Sequence, residues 1–433
     1  MITSATVQRN VLQLIHRFGK PLLFALVGLL ILQSFSLTAL GPGGVNNVHV
    51  YQALAFLDGH VYLPLTSQGL NFDIAFVNGR YQCPFPPFPA AVLMPFVALF
   101  GESTRVVPIS LGFTVLNIMA LKRIFEKLDV EVQLLPWLLA AFFLGSPYWS
   151  VVRGSAIGSY FSNVVALTAL LLAVNEAFGK SRGFLVGAFL GMAFLSRQLS
   201  IYTAIFLCAT IWQHPRFSSN RARFGHLLAF VSVFSIAVVV YLTFNWLRFD
   251  SPFDTGYSKW ILDDPFMAER FKNFGSFHPM YFFHNFVYMF IQGFHLEFSP
   301  PMYLDKPHVD PFGTSLTFAS PFVFFAFKAR GRSILLWGAW LSVSLCLLHM
   351  LFYFSNGWVQ ENGIRYALDF FPVLMVLVAL GMKNVNNQFL WKSAISYSVG
   401  LNLLALSVIS YAWDLFVNAG RWGKSLLMLF VKA

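Results

Sequence analysis

Asp73 and Arg80 stand seven residues apart in a polar segment that runs into a dense proline stretch, Cys83-Pro84-Phe85-Pro86-Pro87-Phe88-Pro89. A carboxylate can take the proton of an attacking hydroxyl as a general base. A guanidinium offers a planar fork of donors that matches phosphate oxygens. Together they suit a transfer in which a hydroxyl attacks and a phosphate departs. The prolines limit the freedom of the loop that carries them. Asp58, in Leu57-Asp58-Gly59-His60, is a second candidate base, with helix-end turn chemistry as its ordinary role. His49 could orient a base or touch phosphate; its ordinary role is that of a satisfied interfacial histidine. Arg365 is the best-placed phosphate ligand, at the edge of an apolar run. Snorkelling to the interface, or pairing one turn on with Asp369, competes with that role. Arg80 and Arg248 are secondary candidates and Arg197 a weaker one.

Other chemistries lack their motifs. There is no Gly-rich phosphate loop, no His-Glu-x-x-His, no paired-cysteine zinc spacing and no Gly-x-Ser-x-Gly elbow. The ten histidines are scattered without ligand spacing, and three cysteines make a disulfide framework an unsuitable reading.

The elements that must hold these side chains are read from composition. Hydrophobic residues make up 57% of the 433, charged residues 11%, and the mean hydropathy is +0.65. Apolar runs near bilayer-spanning length recur throughout, which predicts an all-α polytopic membrane protein and excludes a β-barrel, whose strands alternate. No polar stretch is long enough for a separate soluble domain, so residues 1–433 form one transmembrane unit.

Window length and loop charge predict about eleven spans. They lie near 21–40, 104–121, 134–150, 159–177, 184–196, 199–213, 226–247, 313–327, 334–354, 365–381 and 389–413. The pair at 184–213 turns at Ser196-Arg197-Gln198, one kinked helix being the alternative. Residues 41–103 form a first outer loop and 248–312 a second outer region. Phe88 to Phe100 and Tyr281 to Phe294 are too short to cross and are read as interfacial or re-entrant helices. Gly183, Gly187 and Gly191, four apart, mark a face where helix backbones approach closely.

The net charge of +11 follows this topology and is no nucleic-acid signal. Clusters such as Lys122-Arg123, Arg216 with Arg221 and Arg223, and Lys328 with Arg330 and Arg332 fall on one face, which also holds the N-terminus. By the positive-inside rule that face is cytoplasmic. Most acids gather on the other, in the outer loops.

Several segments taken in order resemble the GT-C superfamily of polytopic glycosyltransferases. They are Pro95-Phe96-Val97-Ala98-Leu99-Phe100-Gly101-Glu102-Ser103, Gly187 through Arg197, Asn245-Trp246-Leu247-Arg248-Phe249 with Ser251-Pro252-Phe253, and Gly357-Trp358 with Arg365-Tyr366 and Asp369. The likeness is to protein-mannosyltransferase- and aminoarabinose-transferase-like enzymes, nearest their uncharacterised bacterial members. It implies a bacterial inner-membrane enzyme with its active site facing the periplasm or exterior. A polyprenyl-phosphate sugar would be the donor, and an envelope glycan, lipid or protein the acceptor. On that reading Asp73, Asp58 and His49 are the catalytic candidates. Arg80, Arg365, Arg248, Tyr81, Tyr366 and Asp369 would bind phosphate and sugar. The resemblance allows a divalent metal, but no ligand motif specifies one. One departure stands out: the family places an acid just after its first helix, where this chain reads Val45-Asn46-Asn47-Val48-His49.

Two other classes compete. A transporter or flippase of lipid-linked saccharide would carry ionisable groups at the midplane and matching repeats; the spans are nearly free of charge and no repeat is visible. A non-catalytic lipid-glycan binder on the same fold is the reading that Asn46-Asn47 favours.

Overall fold

The computed structural model describes residues 47–64, 73–156, 158–261, 265–298, 300–303, 308–355 and 362–408. The expected span near 21–40 and the segment around Gly357-Trp358 lie outside them, as does Asn46.

The chain is mostly helical. In order the elements are α1 (Val48–Leu57), β1 (Ile74–Val77), β2 (Arg80–Gln82), α2 (Phe88–Phe100), α3 (Val106–Lys127), α4 (Leu135–Phe143), α5 (Tyr148–Gly154) and α6 (Tyr160–Ala177). Then come α7 (Gly183–Phe194), α8 (Thr203–Gln213), α9 (Asn220–Phe249), β3 (Trp260–Ile261), α10 (Pro265–Phe274) and α11 (Phe282–Phe286). The rest are β4 (Leu296–Glu297), β5 (His308–Val309), α12 (Leu316–Ala319), α13 (Ile334–Phe352), α14 (Phe371–Met382) and α15 (Gln388–Leu403). Five helices among the described residues are long and apolar enough to cross a membrane: α3, α6, α9, α13 and α15 with its continuation to Leu406. A sixth is reached if α4 and α5, bent by 44° at Gly145-Ser146-Pro147, count as one span.

The outer and inner layers differ as lipid contact requires. Over its 30 residues α9 is about 45 Å long. It leaves Phe224, Leu228, Ile236, Val239 and Trp246 exposed. Such an apolar face in contact with solvent would be a large aggregation patch; against lipid tails it is an ordinary surface. By contrast α6 is buried almost all round and forms the centre of the bundle.

Shorter helices occupy the remaining expected spans. Residues 184–213 are two helices, α7 and α8, interrupted at the expected Ser196-Arg197-Gln198 and joined by a 3₁₀ turn, Gln198–Tyr202. The segment near 313–327 is α12 followed by a 3₁₀ helix from Pro321, and the one near 365–381 is a 3₁₀ turn, Arg365–Asp369, leading into α14. The two segments read as too short to cross are a 13-residue helix, α2, and a broken helix around α11 that relaxes into a π-turn at Val287–Ile291.

Close approach decides how α7 meets α9. A Cβ on Gly183 would lie 1.8 Å from the His226 carbonyl oxygen, one on Gly187 2.5 Å from that of Phe230, and one on Gly191 2.8 Å from Ala237 Cβ. Gly187→Ala must therefore push the two helices apart and is expected to cost about 1–3 kcal/mol. Gly225→Ala, on the same α9 with nothing within 4 Å, is expected to be neutral or to gain up to about 1 kcal/mol. Thermal unfolding of the two variants in detergent checks the difference.

The first outer loop is not wholly helical. Asn78 and Gly79 take φ of 52° and 74°, the pair of left-handed residues a two-residue hairpin turn requires. They join β1 to β2 in antiparallel register, Val77 opposite Arg80 and Ala75 opposite Gln82. On its other side β1 pairs with β3 of the second outer region, Ala75 opposite Trp260. The Asn78 amide also donates to the Asp250 carboxylate at 2.8 Å. Two loops about 180 residues apart in sequence thus share one sheet.

Candidate active site

A cavity of about 360 Å³ opens where the proline-rich loop and the segment after α9 meet the helix ends. Its wall takes Phe85 and Pro86 from the proline-rich loop, Arg197, Gln198 and Tyr202 from the α7–α8 turn, and Tyr241 from α9. Tyr257 comes from the second outer region, His349 and Tyr353 from the end of α13, and Tyr366 from the turn before α14. Two wider grooves, about 690 and 650 Å³, are lined mainly by apolar side chains of outward helix faces. Convergent polar groups distinguish a ligand site from a lipid-filled groove. The smaller cavity has them.

The tyrosines are held by named partners. Gln198 Nε2 donates to the Tyr241 hydroxyl at 2.8 Å, and the Tyr202 hydroxyl lies 3.1 Å from His349 Nδ1. Tyr353 and Tyr257 lie within interaction range of each other in this wall. Burial pushes the Tyr257 phenol far above its usual range, so it stays a neutral hydroxyl.

Charge enters through two guanidiniums that pack against one ring. Arg197 lies 4.4 Å from the Tyr366 ring centroid and Arg365 lies 5.2 Å from it. Arg365 also donates to the Tyr160 hydroxyl at 2.8 Å. Asp369, 1% exposed, does not pair with Arg365 one turn back. It accepts from Arg197 Nε at 2.7 and 2.8 Å across the bundle. The 3₁₀ turn brings this about: with three residues per turn, the side chains at 365 and 369 no longer overlie each other as they would four apart on an α-helix.

Asp73, half-buried at the root of the hairpin, is within electrostatic reach of Arg365, Tyr257 and Cys83. Of the candidates the structure gathers Arg365, Tyr366, Asp369 and the weaker candidate Arg197, and it keeps Asp73 within electrostatic reach of Arg365. Arg80 is not in this group. It sits at the far end of the hairpin, about four residues or 13 Å of strand from Asp73, and stacks on Tyr62 at 4.4 Å. Tyr81, beside it, packs on Phe76 with ring centroids 5.0 Å apart.

Arg248 does another job than the expected one. It is 2% exposed, and it donates to the carbonyls of Cys83, of Phe85 at 3.1 Å and of Phe244 at 3.3 Å, and to Asn245 Oδ1 at 2.7 Å. Those bonds clamp the proline-rich loop onto the end of α9. A donor set this fully engaged by protein oxygens leaves little for a phosphate.

Asp58 and His49 also fall away from the cavity wall. Asp58 is exposed and caps the C-terminus of α1, its backbone N–H donating to Leu54 at 3.1 Å; Gly59 follows at φ 75°. His49 is fully buried, with Nδ1 3.3 Å from Gln52 Oε1 and its ring 5.8 Å from that of Phe85. Burial pushes its imidazole down to about 4. Because the unfolded chain protonates near 6.5 and the native one resists, stability is full above 6.5 and falls as pH drops toward 4. The loss is on the order of 3 kcal/mol. In a comparison of melting temperatures across that window, His49→Gln is expected to flatten the acid slope.

Asn47 lies in the stretch where the resemblance leads one to expect an acid, and its bonds call for an amide. Its side chain accepts from His49 N at 3.0 Å, capping α1, and donates to the Ser155 carbonyl at 2.8 Å. A carboxylate could make the cap but not the donation, and would face a carbonyl oxygen with no exposure to water.

Sequence reading passed over Tyr202, Tyr241, His349 and Tyr353, which sit in or beside apolar runs. Their hydroxyls and imidazole interrupting those runs were the available signal. One group of three metal-ligating side chains occurs among the described residues, away from this wall, in the β4–β5 hairpin. No protein-family model, curated protein or solved structure matches the chain.

Proposed function

We propose that this chain is a GT-C-type membrane glycosyltransferase. It moves a sugar from a polyprenyl-phosphate donor to an envelope acceptor, a glycan, lipid or protein, on the non-cytoplasmic face. The observation that carries the reading is a tyrosine-lined cavity with Arg197 and Tyr366 in its wall, Arg365 beside the Tyr366 ring, and Asp73 within electrostatic reach of Arg365. Its volume lies within the range of about 300–1,000 Å³ usual for small-molecule sites. Hydroxyls and aromatic faces are the groups a sugar ring needs, and the guanidinium of Arg365 suits a phosphate.

In the reaction the acceptor oxygen bonds to the anomeric carbon as the bond from that carbon to phosphate oxygen breaks. The electron pair leaves on the polyprenyl phosphate, and the acceptor proton passes to the Asp73 carboxylate. Phosphate is a good leaving group, so no second carboxylate is needed, unlike glycoside hydrolysis. Arg365 would hold the departing oxygens. The full reading keeps eleven spans in a bacterial inner membrane, with a cytoplasmic N-terminus.

Purified chain in liposomes, given a series of labelled polyprenyl-phosphate sugars and acceptor lipids, tests this. Label appearing on the acceptor supports the transferase. Tight donor binding without transfer would replace it with a lipid-glycan binder, the reading Asn47 favours. Movement of intact donor between leaflets would replace it with a flippase.

A further inference from the structure

His295 and Glu297 flank Leu296 at the β4 strand, so their side chains share one face. The antiparallel partner β5 pairs Val309 with Leu296 and delivers the next residue, Asp310, to the same place. Their ligand atoms all lie within 4.8 Å of one another. His295 Nε2 is 3.6 Å from Glu297 Oε1 and 3.6 Å from Asp310 Oδ2.

Those separations are too long for hydrogen bonds, which fall at about 2.7–3.2 Å. They match two ligands sharing a tetrahedral ion, since metal bonds of about 2.0–2.1 Å set neighbouring ligand atoms about 3.4 Å apart. We propose that His295, Glu297 and Asp310 form a binding site for a divalent ion of the zinc class. An imidazole with two carboxylates favours such an ion over magnesium or calcium, which take oxygen ligands throughout. With neutral imidazole the two carboxylates carry two negative charges, which one divalent ion neutralises. Three protein ligands leave a fourth position for water or an anionic oxygen.

The surroundings orient the ligands as metal sites require. Asp310 is 3% exposed; the Tyr288 hydroxyl donates to its Oδ2 at 3.0 Å and Phe312 N donates to its Oδ1 at 2.8 Å. The Gln292 side-chain amide lies 2.8 Å from His295 Nδ1. The amide nitrogen faces the ring and also donates to the Gly293 carbonyl at 3.3 Å. Turned over, the amide gives up that bond, accepts the Nδ1 proton and leaves Nε2 free to ligate. The bland reading is a surface ion pair between protonated His295 and the two acids. It accounts for the charges and for both contacts of His295 Nε2, and it differs from the metal site in predicting no ion uptake.

The proposal stands independently of the transferase reading and has its own readout. Full-length chain, purified without a polyhistidine tag and stripped with chelator, is titrated with Co²⁺ and then with Zn²⁺. The expected result is the visible ligand-field absorption of four-coordinate Co²⁺, saturating at one ion per chain and displaced by Zn²⁺. His295→Ala and Asp310→Asn are expected to abolish it, and Gln292→Ala to weaken affinity about 10- to 100-fold. Glu297 is exposed, so Glu297→Gln keeps the test open if the buried Asp310 variant does not fold. Absorption equal in wild type and in a folded His295→Ala or Glu297→Gln chain, or absent from wild type, would leave only the ion pair and overturn the site.

Discussion

Asp73→Asn is expected to lower transfer of sugar from labelled polyprenyl phosphate by about 10²- to 10⁴-fold while donor binding persists. The amide keeps the shape of the carboxylate and can still accept a hydrogen bond, but it cannot take a proton at neutral pH. Asp73 is the acid that the structure sets within electrostatic reach of Arg365 and Tyr257. Asp58→Asn is the matched control. It removes a carboxylate of the same loop that is exposed at a helix end, and is expected to leave the rate unchanged. Equal rates for wild type and a well-folded Asp73→Asn chain would remove Asp73 as the base.

Asp369→Ala carries the largest expected effect on stability. It strands the Arg197 guanidinium, whose side chain is only 14% exposed, without its carboxylate. Removing one partner of a buried pair typically costs about 3–5 kcal/mol, because the remaining charge stays desolvated. The double variant Arg197→Met with Asp369→Leu removes both charges and is expected to recover most of that loss. Thermal unfolding in detergent measures both. If Arg197 also serves the cavity, the double variant regains stability without regaining transfer. Asp369→Ala melting like wild type would mean that Arg197 finds water or another partner at no cost, and the pair would lose its structural role.

The charged residues show where sequence reading stops. Asp369 and Arg365 are four apart, which on an α-helix makes them neighbours. The chain instead forms a 3₁₀ turn there, followed by Pro372, and Asp369 reaches an arginine 172 residues away. By sequence Arg248 is a secondary phosphate-binding candidate. Only the fold reveals that the carbonyls of Cys83 and Phe85 pass beside it. The signal for the β1–β2 hairpin, Asn78-Gly79, was present in the sequence, although sequence reading gives only a proline-pinned loop there. The hairpin's pairing with Trp260–Ile261 left no such signal, because a two-residue strand carries no periodicity of its own.

By itself the sequence determined what is local or additive. Apolar composition marked a helical membrane protein, the turn at Ser196-Arg197-Gln198 marked a helix break, and the spacing of Gly183, Gly187 and Gly191 marked a tight helix contact. Each depends on residues within a few turns of one another, where geometry is nearly independent of the rest of the chain. The tertiary structure alone decided which ionisable groups meet. In a chain with so few charges, a guanidinium or carboxylate withdrawn from water must find a partner wherever the packed helices bring one. That choice put Arg197 with Asp369, gave Arg248 to a loop, and left Asp73 within electrostatic reach of Arg365.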